Sequence, residues 1–370
     1  MRVFHVSDTH LGYAAYAKID QARGLNQREA DFYDSFERFV NICLKEEPDL
    51  VLHTGDLFDS VRPSNRAISF AMEQLRRLSD AGIEFIAISG NHETPRLRET
   101  GSVFKILEHV PSCRFSYGDE FLRIEKGSLE IICIPHSTNE QFRKNLKAVS
   151  NLKKQGNRIV MMHVGVSGIH KFRTDEANEL VIDESDIDQA ADYVALGHYH
   201  NHENIANNCS FAGSTERLSI SEAAFEKGFI DVDLDGKSRK FVPLPTRRMI
   251  DMQQIDLSNL NPSDAKKAIQ RELEKYKIDG AIVRMTITGV SGDTRRNLDY
   301  NWIRKVVQGS LSFDVRIIGA EEMHIEQSTS PRIGPLEEEF KAYLSKLPVE
   351  KLDKKRLESL ADKFFSVMEE

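Results

Sequence analysis

Cysteine is scarce in this sequence: four residues, Cys43, Cys113, Cys133 and Cys209, lie scattered along 370 positions with no CxxC pair. That excludes a disulfide-stapled scaffold and a zinc site built on paired thiolates. All but Cys209 sit among apolar neighbours and read as buried, inert thiols, which suits a reducing compartment. Long hydrophobic runs are missing too. No stretch of about 18 apolar residues occurs, so no membrane span is expected. Met1 leads almost directly into Val3-Phe4-His5-Val6, without the basic and apolar regions of a secretory signal, and a cytoplasmic location is expected. Positive charge is not in excess: 50 Lys and Arg against 58 Asp and Glu give a net charge of -8 and a pI near 5.9. Any polyanion must therefore meet local basic patches or bound cations rather than a global field. Internal repeats and low-complexity tracts are absent.

What remains is the composition of an ordinary globular protein, 40% hydrophobic and 29% charged, long enough for two or three domains. A strand is predicted over residues 2–7, running out into Ser7-Asp8-Thr9-His10. Ala14 to Gln27 is polar, without periodicity, and reads as a surface loop. Phe32, Phe36, Phe39, Val40, Cys43 and Leu44 recur at helical spacing over residues 29–46, and Pro48 stops the run. A strand at 49–54, a helix opened by Pro63-Ser64 and closed by Gly82, and a strand at 83–88 follow. This β-α-β-α-β alternation predicts parallel crossovers. Further strands are expected at 121–125, 129–134, 158–163, 193–197, 209–213 and 228–234, with a basic helix over about 139–154. Near residue 245 the character changes. Arg247-Arg248 precede a smaller α/β unit: a strand at 252–256, a helix opened by Pro262-Ser263, a strand at 281–288, a helix near 298–309 and a strand at 313–318. Residues 325–335 have linker composition. Two amphipathic helices close the chain, one carrying Leu336, Phe340, Tyr343 and Leu344, the other Leu357, Leu360, Ala361, Phe364 and Phe365.

The chemistry gathers at strand ends. Asp8, His10, Asp56, Asn91, His163, His198 and His200 each stand at or just beyond the end of an apolar strand, where open α/β sheets collect their ligands. Asp8 and His10, two apart in an extended segment, face the same way, and His198 and His200 repeat that geometry. Seven ligands exceed the four of one tetrahedral site and suit two cations sharing a bridging carboxylate, with Asp56 as the hub. Oxygen and imidazole donors without thiolate favour Mn, Fe or Zn. Two such ions, about 3.5–4 Å apart, orient a phosphate and stabilise both oxygens of an in-line displacement. His53 reads as a packed core histidine and His202 as solvent-facing. His170-Lys171-Phe172-Arg173 is a basic loop with an aromatic residue.

The ordered set Asp8-Thr9-His10, Gly55-Asp56, Gly90-Asn91-His92-Glu93, His163 and Gly197-His198-Tyr199-His200 resembles the calcineurin-like metallophosphoesterase superfamily over about residues 1–235. His10-Leu11-Gly12-Tyr13, Gly55-Asp56-Leu57-Phe58, Arg62-Pro63-Ser64, Ala195-Leu196-Gly197-His198-Tyr199-His200 and Gly213-Ser214-Thr215-Glu216-Arg217 are similar to the double-strand-break-repair nucleases of the meiotic recombination eleven and SbcD type. The resemblance implies an α/β fold: a two-sheet metallophosphoesterase sandwich flanked by helices (residues 1–244), a small α/β capping domain (245–324), a linker (325–335) and a C-terminal helical hairpin (336–370) that binds a partner ATPase.

It also implies a Mn-dependent DNA exo/endonuclease acting on DNA ends, with two Mn²⁺ per chain and with Mg, Fe or Zn as alternatives. By the same resemblance, Asp8, His10, Asp56 and His200 hold one metal, and Asp56, Asn91, His163 and His198 the other. His92 faces the scissile phosphate. The implied partners are DNA, a second copy of the chain and a Rad-fifty/SbcC-type ABC ATPase, in a nucleoid-associated setting. Asp59 stands where many of these nucleases carry a histidine; it cannot act as a neutral imidazole, but could orient His92 or a ligand histidine by accepting a hydrogen bond. Candidate DNA contacts are Arg28, Arg62, Arg66, Arg96, Lys171 and Arg173, with Arg23 and Arg98 beside them. The competing readings are a DNA-end-binding scaffold and dimer clamp with partner-gated catalysis, and a metallophosphodiesterase acting on nucleotides.

Overall fold

Val3, Leu50, Leu52, Ile86 and Ile88 project from one side of a sheet, while Phe4, Val6, Val51, Phe85 and Ala87 project from the other. The period of two along each strand thus divides one apolar sequence between two cores. In the computed structural model, which describes residues 1–95, 100–168, 179–187, 191–290 and 299–319 with positions 296 and 357, two six-stranded sheets are built this way. In the first, Arg2–Val6, Leu50–His53, Glu84–Ile88 and Cys113–Ser116 run parallel, and Gly228–Asp233 and Ser238–Pro243 complete one edge antiparallel. In the second, Leu129–Ile134, Asn157–His163, Tyr193–Gly197 and Cys209–Phe211 run parallel between the antiparallel edges Leu122–Lys126 and Glu203–Ala206.

Three apolar layers hold these sheets. Ile131, Cys133, Ile159, Met161, Tyr193 and Ala195 meet the inner residues of the first sheet. Helices Gln27–Glu46 and Asn65–Asp80 cover its outer face with Phe36, Phe39, Val40, Ala71 and Leu75. Phe142 and Val149, from helix Asn139–Ser150, cover the second sheet over Ile132, Ile134, Val160 and Met162. Asn26, Ser64 and Thr138 cap these helices, each side chain accepting first-turn amide hydrogens. The inner strands, such as Leu50–His53, Leu129–Ile134 and Tyr193–Gly197, are buried on both faces, which is why they read as continuous apolar runs.

A separate four-stranded parallel sheet follows. Ile282–Val290 is central, with Met249–Asp251 and Ile255–Asp256 along one edge and Ser312–Gly319 along the other. Helices Pro262–Leu273 and Tyr300–Val306 supply Ala265, Ile269, Leu273 and Ile303 to its core. Ile220 packs on Met249 and Ile282 to join it to the sandwich.

Some expectations change. The polar segment before the first helix contains a short antiparallel pair, Ile19–Asp20 with Leu25–Asn26. The strands Cys113–Ser116, Glu203–Ala206 and Ser238–Pro243 carry too little apolar periodicity to be read from sequence. Cys209 is fully buried although its sequence neighbours are polar. The linker and terminal helices lie outside the described residues, apart from Leu357. No helix among the described residues is long and apolar enough to cross a membrane.

Ile159→Ala should open a cavity between the two sheets and cost about 2–5 kcal/mol, read as a lower urea midpoint with an unchanged m-value.

Candidate metal centre

Beyond their ends, the strands Arg2–Val6 and Leu50–His53 continue side by side. Thr54 N donates to Val6 O (3.0 Å), Asp8 N to Gly55 O (3.1 Å), His10 N to Asp56 O (3.0 Å) and Leu11 N to Leu57 O (2.8 Å). These bonds hold a backbone that residues with side chains rarely adopt: φ is 51° at Asp8, 42° at His10 and 54° at Asp56, and His198, whose amide donates to the Asp8 carboxylate, has φ 98°. Each such residue costs on the order of 1–3 kcal/mol and persists only where its surroundings over-determine it. The glycines of the motifs serve close approach. A Cβ on Gly55 would enter the His163 ring, one on Gly90 would strike the Asp56 carboxylate, and one on Gly197 would meet Thr54 O and Ser7 Oγ.

All seven strand-end residues come together. Donor atoms of Asp8, His10 and His200 form one cluster, and those of Asp8, Asp56 and His163 a second, each within 4.8 Å. The Asn91 amide oxygen faces His163 Nε2 at 2.9 Å and His198 Nδ1 at 3.2 Å. The His198 amide donates to both Asp8 carboxylate oxygens at 3.2 Å. Asp8 is therefore as central to this geometry as Asp56.

Each histidine of the set has its other ring nitrogen occupied by an acceptor. His163 Nδ1 donates to Thr54 O (2.8 Å), His10 Nδ1 to Asp59 Oδ1 (3.2 Å) and His200 Nδ1 to Glu222 Oε1 (3.1 Å). His198 Nε2 pairs with Glu179 Oε1 at 3.4 Å. Carbonyls and carboxylates only accept, so the hydrogen-bonded nitrogens of His163, His10 and His200 carry protons, and in all four rings the opposite nitrogen faces the cluster. His10 Nε2 is buried without a hydrogen-bond partner, 3.8 Å from Asp56 Oδ2. An orphaned imidazole nitrogen beside a buried carboxylate fits a cation site, and the oxygen and imidazole donors fit hard-to-borderline divalent metals.

The metal-free electrostatics show what a cation would replace. Burial pushes the Asp56 carboxyl up, but His163, by charge and hydrogen bond, together with His10 and His92, holds it well below the usual carboxylate range. Burial pushes the His163 imidazole down, yet Asp56, backed by Asp8 and the Thr54 carbonyl, outweighs it and raises the group to about 9. Glu93 behaves oppositely. Burial, then the charge of Asp56, pushes its carboxyl well above the usual range, while Oε1 accepts from Leu57 N and Gly90 N and braces the second and third motifs.

His92 lies at the rim, its side chain 27% exposed. Its amide donates to Asp56 Oδ1 (3.0 Å), its Nδ1 donates to Asp59 O (3.0 Å), and its ring stands edge-on to His10 at 4.7 Å. Asp59 thus accepts from His10 with its carboxylate and from His92 with its carbonyl.

One DNA-contact candidate is corrected. Arg28 is wholly buried, paired with Asp31 (2.6 Å) and Glu216 (3.3 Å) and bonded to Arg217 O, so its guanidinium braces the molecule and does not reach a ligand. Arg62 and Arg66 are exposed, Arg66 with Glu29 at 3.4 Å, whereas Arg23 is engaged by Asp34. Arg96, Arg98, His170, Lys171 and Arg173 lie outside the described residues. His53 is buried, with Nε2 3.0 Å from Thr9 Oγ1. His202 is not solvent-facing: it donates to Phe211 O and stacks on Phe241. Glu179 and Glu222 have no motif that announces them, because only the fold brings them to the candidate ligand histidines His198 and His200.

A two-sheet sandwich that delivers paired carboxylates and imidazoles from its strand ends is the arrangement of a metal-dependent phosphoesterase, and the chain belongs to the calcineurin-like phosphoesterase family, whose model matches residues 1–202. It is therefore a hydrolase that uses divalent metal. Among curated proteins it is similar to the DNA double-strand break repair protein Mre11 of Sulfurisphaera tokodaii, with 32% identity over 74% of this chain and 69% of that protein. The Mre11 proteins of Saccharolobus solfataricus (29% identity, 73% and 68% covered) and Methanocaldococcus jannaschii (28%, 77% and 77%) are similar over comparable spans.

The raised His163 sets a pH dependence. Below about 9 its cluster-facing nitrogen holds a proton that a cation must displace, so Mn²⁺ affinity should rise from pH 6 to pH 9 with proton release. Calorimetry in buffers of different ionisation heat reads this directly; a pH-independent affinity would contradict it.

Proposed function

We propose that this chain is a two-metal DNA nuclease that processes DNA ends in double-strand break repair. The convergence of seven strand-end donors, with each histidine's outer nitrogen already occupied, carries the reading. The DNA substrate is supported by the names of the relatives. Asp8, His10, Asp56 and His200 would hold one cation and Asp56, Asn91, His163 and His198 the other, with Mn²⁺ as the proposed metal. When bound, such a pair withdraws charge from the phosphodiester and its leaving oxygen.

The protein's own part is positioning and proton delivery. Asp56 Oδ1 holds the His92 amide, so the proposed bridging ligand and the rim histidine stay in register. With Nδ1 committed to Asp59 O, the His92 ring keeps a fixed direction, and as imidazolium it would give the proton of its remaining nitrogen to the leaving 3′ oxygen and be left neutral with Nδ1–H on Asp59 O. Asp59 orients His10 rather than replacing the family's histidine at the phosphate. Arg62 and Arg66 would meet DNA backbone, giving salt-dependent and weakly sequence-specific binding.

The wider architecture belongs to the same reading: a nuclease domain over residues 1–244, a cap over 245–324 and a terminal segment after the linker at 325–335. That segment would dock on a Rad-fifty/SbcC-type ABC ATPase, and the nuclease would work as a homodimer in the cytoplasm.

With Mn²⁺, purified protein should degrade linear duplex DNA, and chelation should stop it. His92→Ala should lower cutting by about 10²–10⁴-fold while calorimetry still counts two metals. Asp56→Ala should lose more metal than His200→Ala or Asn91→Ala. Normal nuclease activity in His198→Ala, or strong preference for a small aryl phosphodiester over DNA, would overturn the reading.

A further inference from the structure

His200 is the last of the seven donors and stands three residues past its strand, Tyr193–Gly197. The other histidines lean on acceptors from elsewhere in the site, but His200 is held from a segment beyond the family model's match at residues 1–202. Glu222, in the single turn Ile220–Glu222, accepts from His200 Nδ1 at 3.1 Å. Its other oxygen takes Lys227 Nζ at 2.6 Å and Leu218 N at 3.2 Å. Lys227, with a side chain 0% exposed, also donates to His200 O (2.7 Å) and Asn201 Oδ1 (3.2 Å). Ser214 N donates to the same His200 carbonyl at 3.0 Å.

A buried ion pair is a poor stability device, since desolvation offsets much of its attraction. This one grips a single residue twice, the carboxylate on the ring and the ammonium on the backbone. We infer that Glu222, locked by Lys227, is the positioning residue for His200: it fixes the Nδ1–H tautomer and aims Nε2 into the metal centre. The inference rests on the two-metal reading above.

Glu222→Gln separates this role from simple packing. Two donors, Lys227 Nζ and Leu218 N, face Oε2, so the amide oxygen must turn to them. Its NH₂ then faces His200 Nδ1, which has to accept, and the ring proton moves to the metal-facing nitrogen. Titration of the chelator-stripped protein with Mn²⁺ should show one of two ions bound about 10–100-fold more weakly than in the parent. Thermal unfolding in EDTA should stay within a few degrees, because Lys227 keeps an acceptor. Parent-like affinity for both ions in Glu222→Gln would overturn the inference, whereas a parent that never binds two ions would instead overturn the two-metal reading on which it rests. A second measurement needs no variant: nitrogen NMR of the chelated parent at alkaline pH should find His200 protonated on Nδ1, and an Nε2–H tautomer would overturn the inference.

Discussion

Two parallel segments, residues 8–11 and 55–57, are tied backbone to backbone past the ends of their strands, and the rest of the site depends on that ladder. It forces Asp8, His10 and Asp56 into positive φ and brings their side chains into one volume. Left-handed backbone is unfavourable for all three. It is tolerated because the amides of Asp8 and His10 donate to Gly55 O and Asp56 O in the neighbouring loop and because Gly55, Gly90 and Gly197 let the backbones close to contact. The strain is local, and the two sheets beneath resist its release.

Those sheets explain why the loops can be held so closely. Alternate residues of each strand feed separate apolar layers, so a strand cannot slip by one position without exchanging two cores. Register at the strand ends is thereby fixed by packing far from the site. The second sheet contributes in the same way, since Asn157–His163 and Tyr193–Gly197 pair Gly197 with His163 and deliver His163 and His198 from adjacent strands.

Electrostatics then select the occupant. A buried cluster of carboxylates and imidazoles with no cation relies on proton sharing, visible in the depressed Asp56 and the raised His163. Asp59, Glu222 and the Thr54 carbonyl take the outward protons of His10, His200 and His163, Glu179 pairs with His198, and the inward nitrogens of these four candidate ligands are left for metal. The smaller sheet is coupled to this core through Arg247, which pairs with Asp31 and bonds Gly280 O, beside the buried Arg28 and Glu216.

The sequence by itself determined the strands that end in chemistry, because bulky apolar runs followed by Gly-Asp, Gly-Asn-His and Gly-His-x-His are local signals. It also carried the family, and with it the expectation of a divalent-metal hydrolase. Tertiary structure decided what depends on distant partners. Arg28 looks like a loop cation in sequence and is a buried brace in the fold, since Asp31, Glu216 and Arg217 surround it. His202 looks exposed until Phe241 arrives from another strand. Glu179 and Glu222 carry no motif, and a polar contact with a histidine 19 or 22 residues away in the chain exists only once both backbones are placed. The candidate ligands are written along the chain in short patterns; their orientation is a property of the folded surroundings.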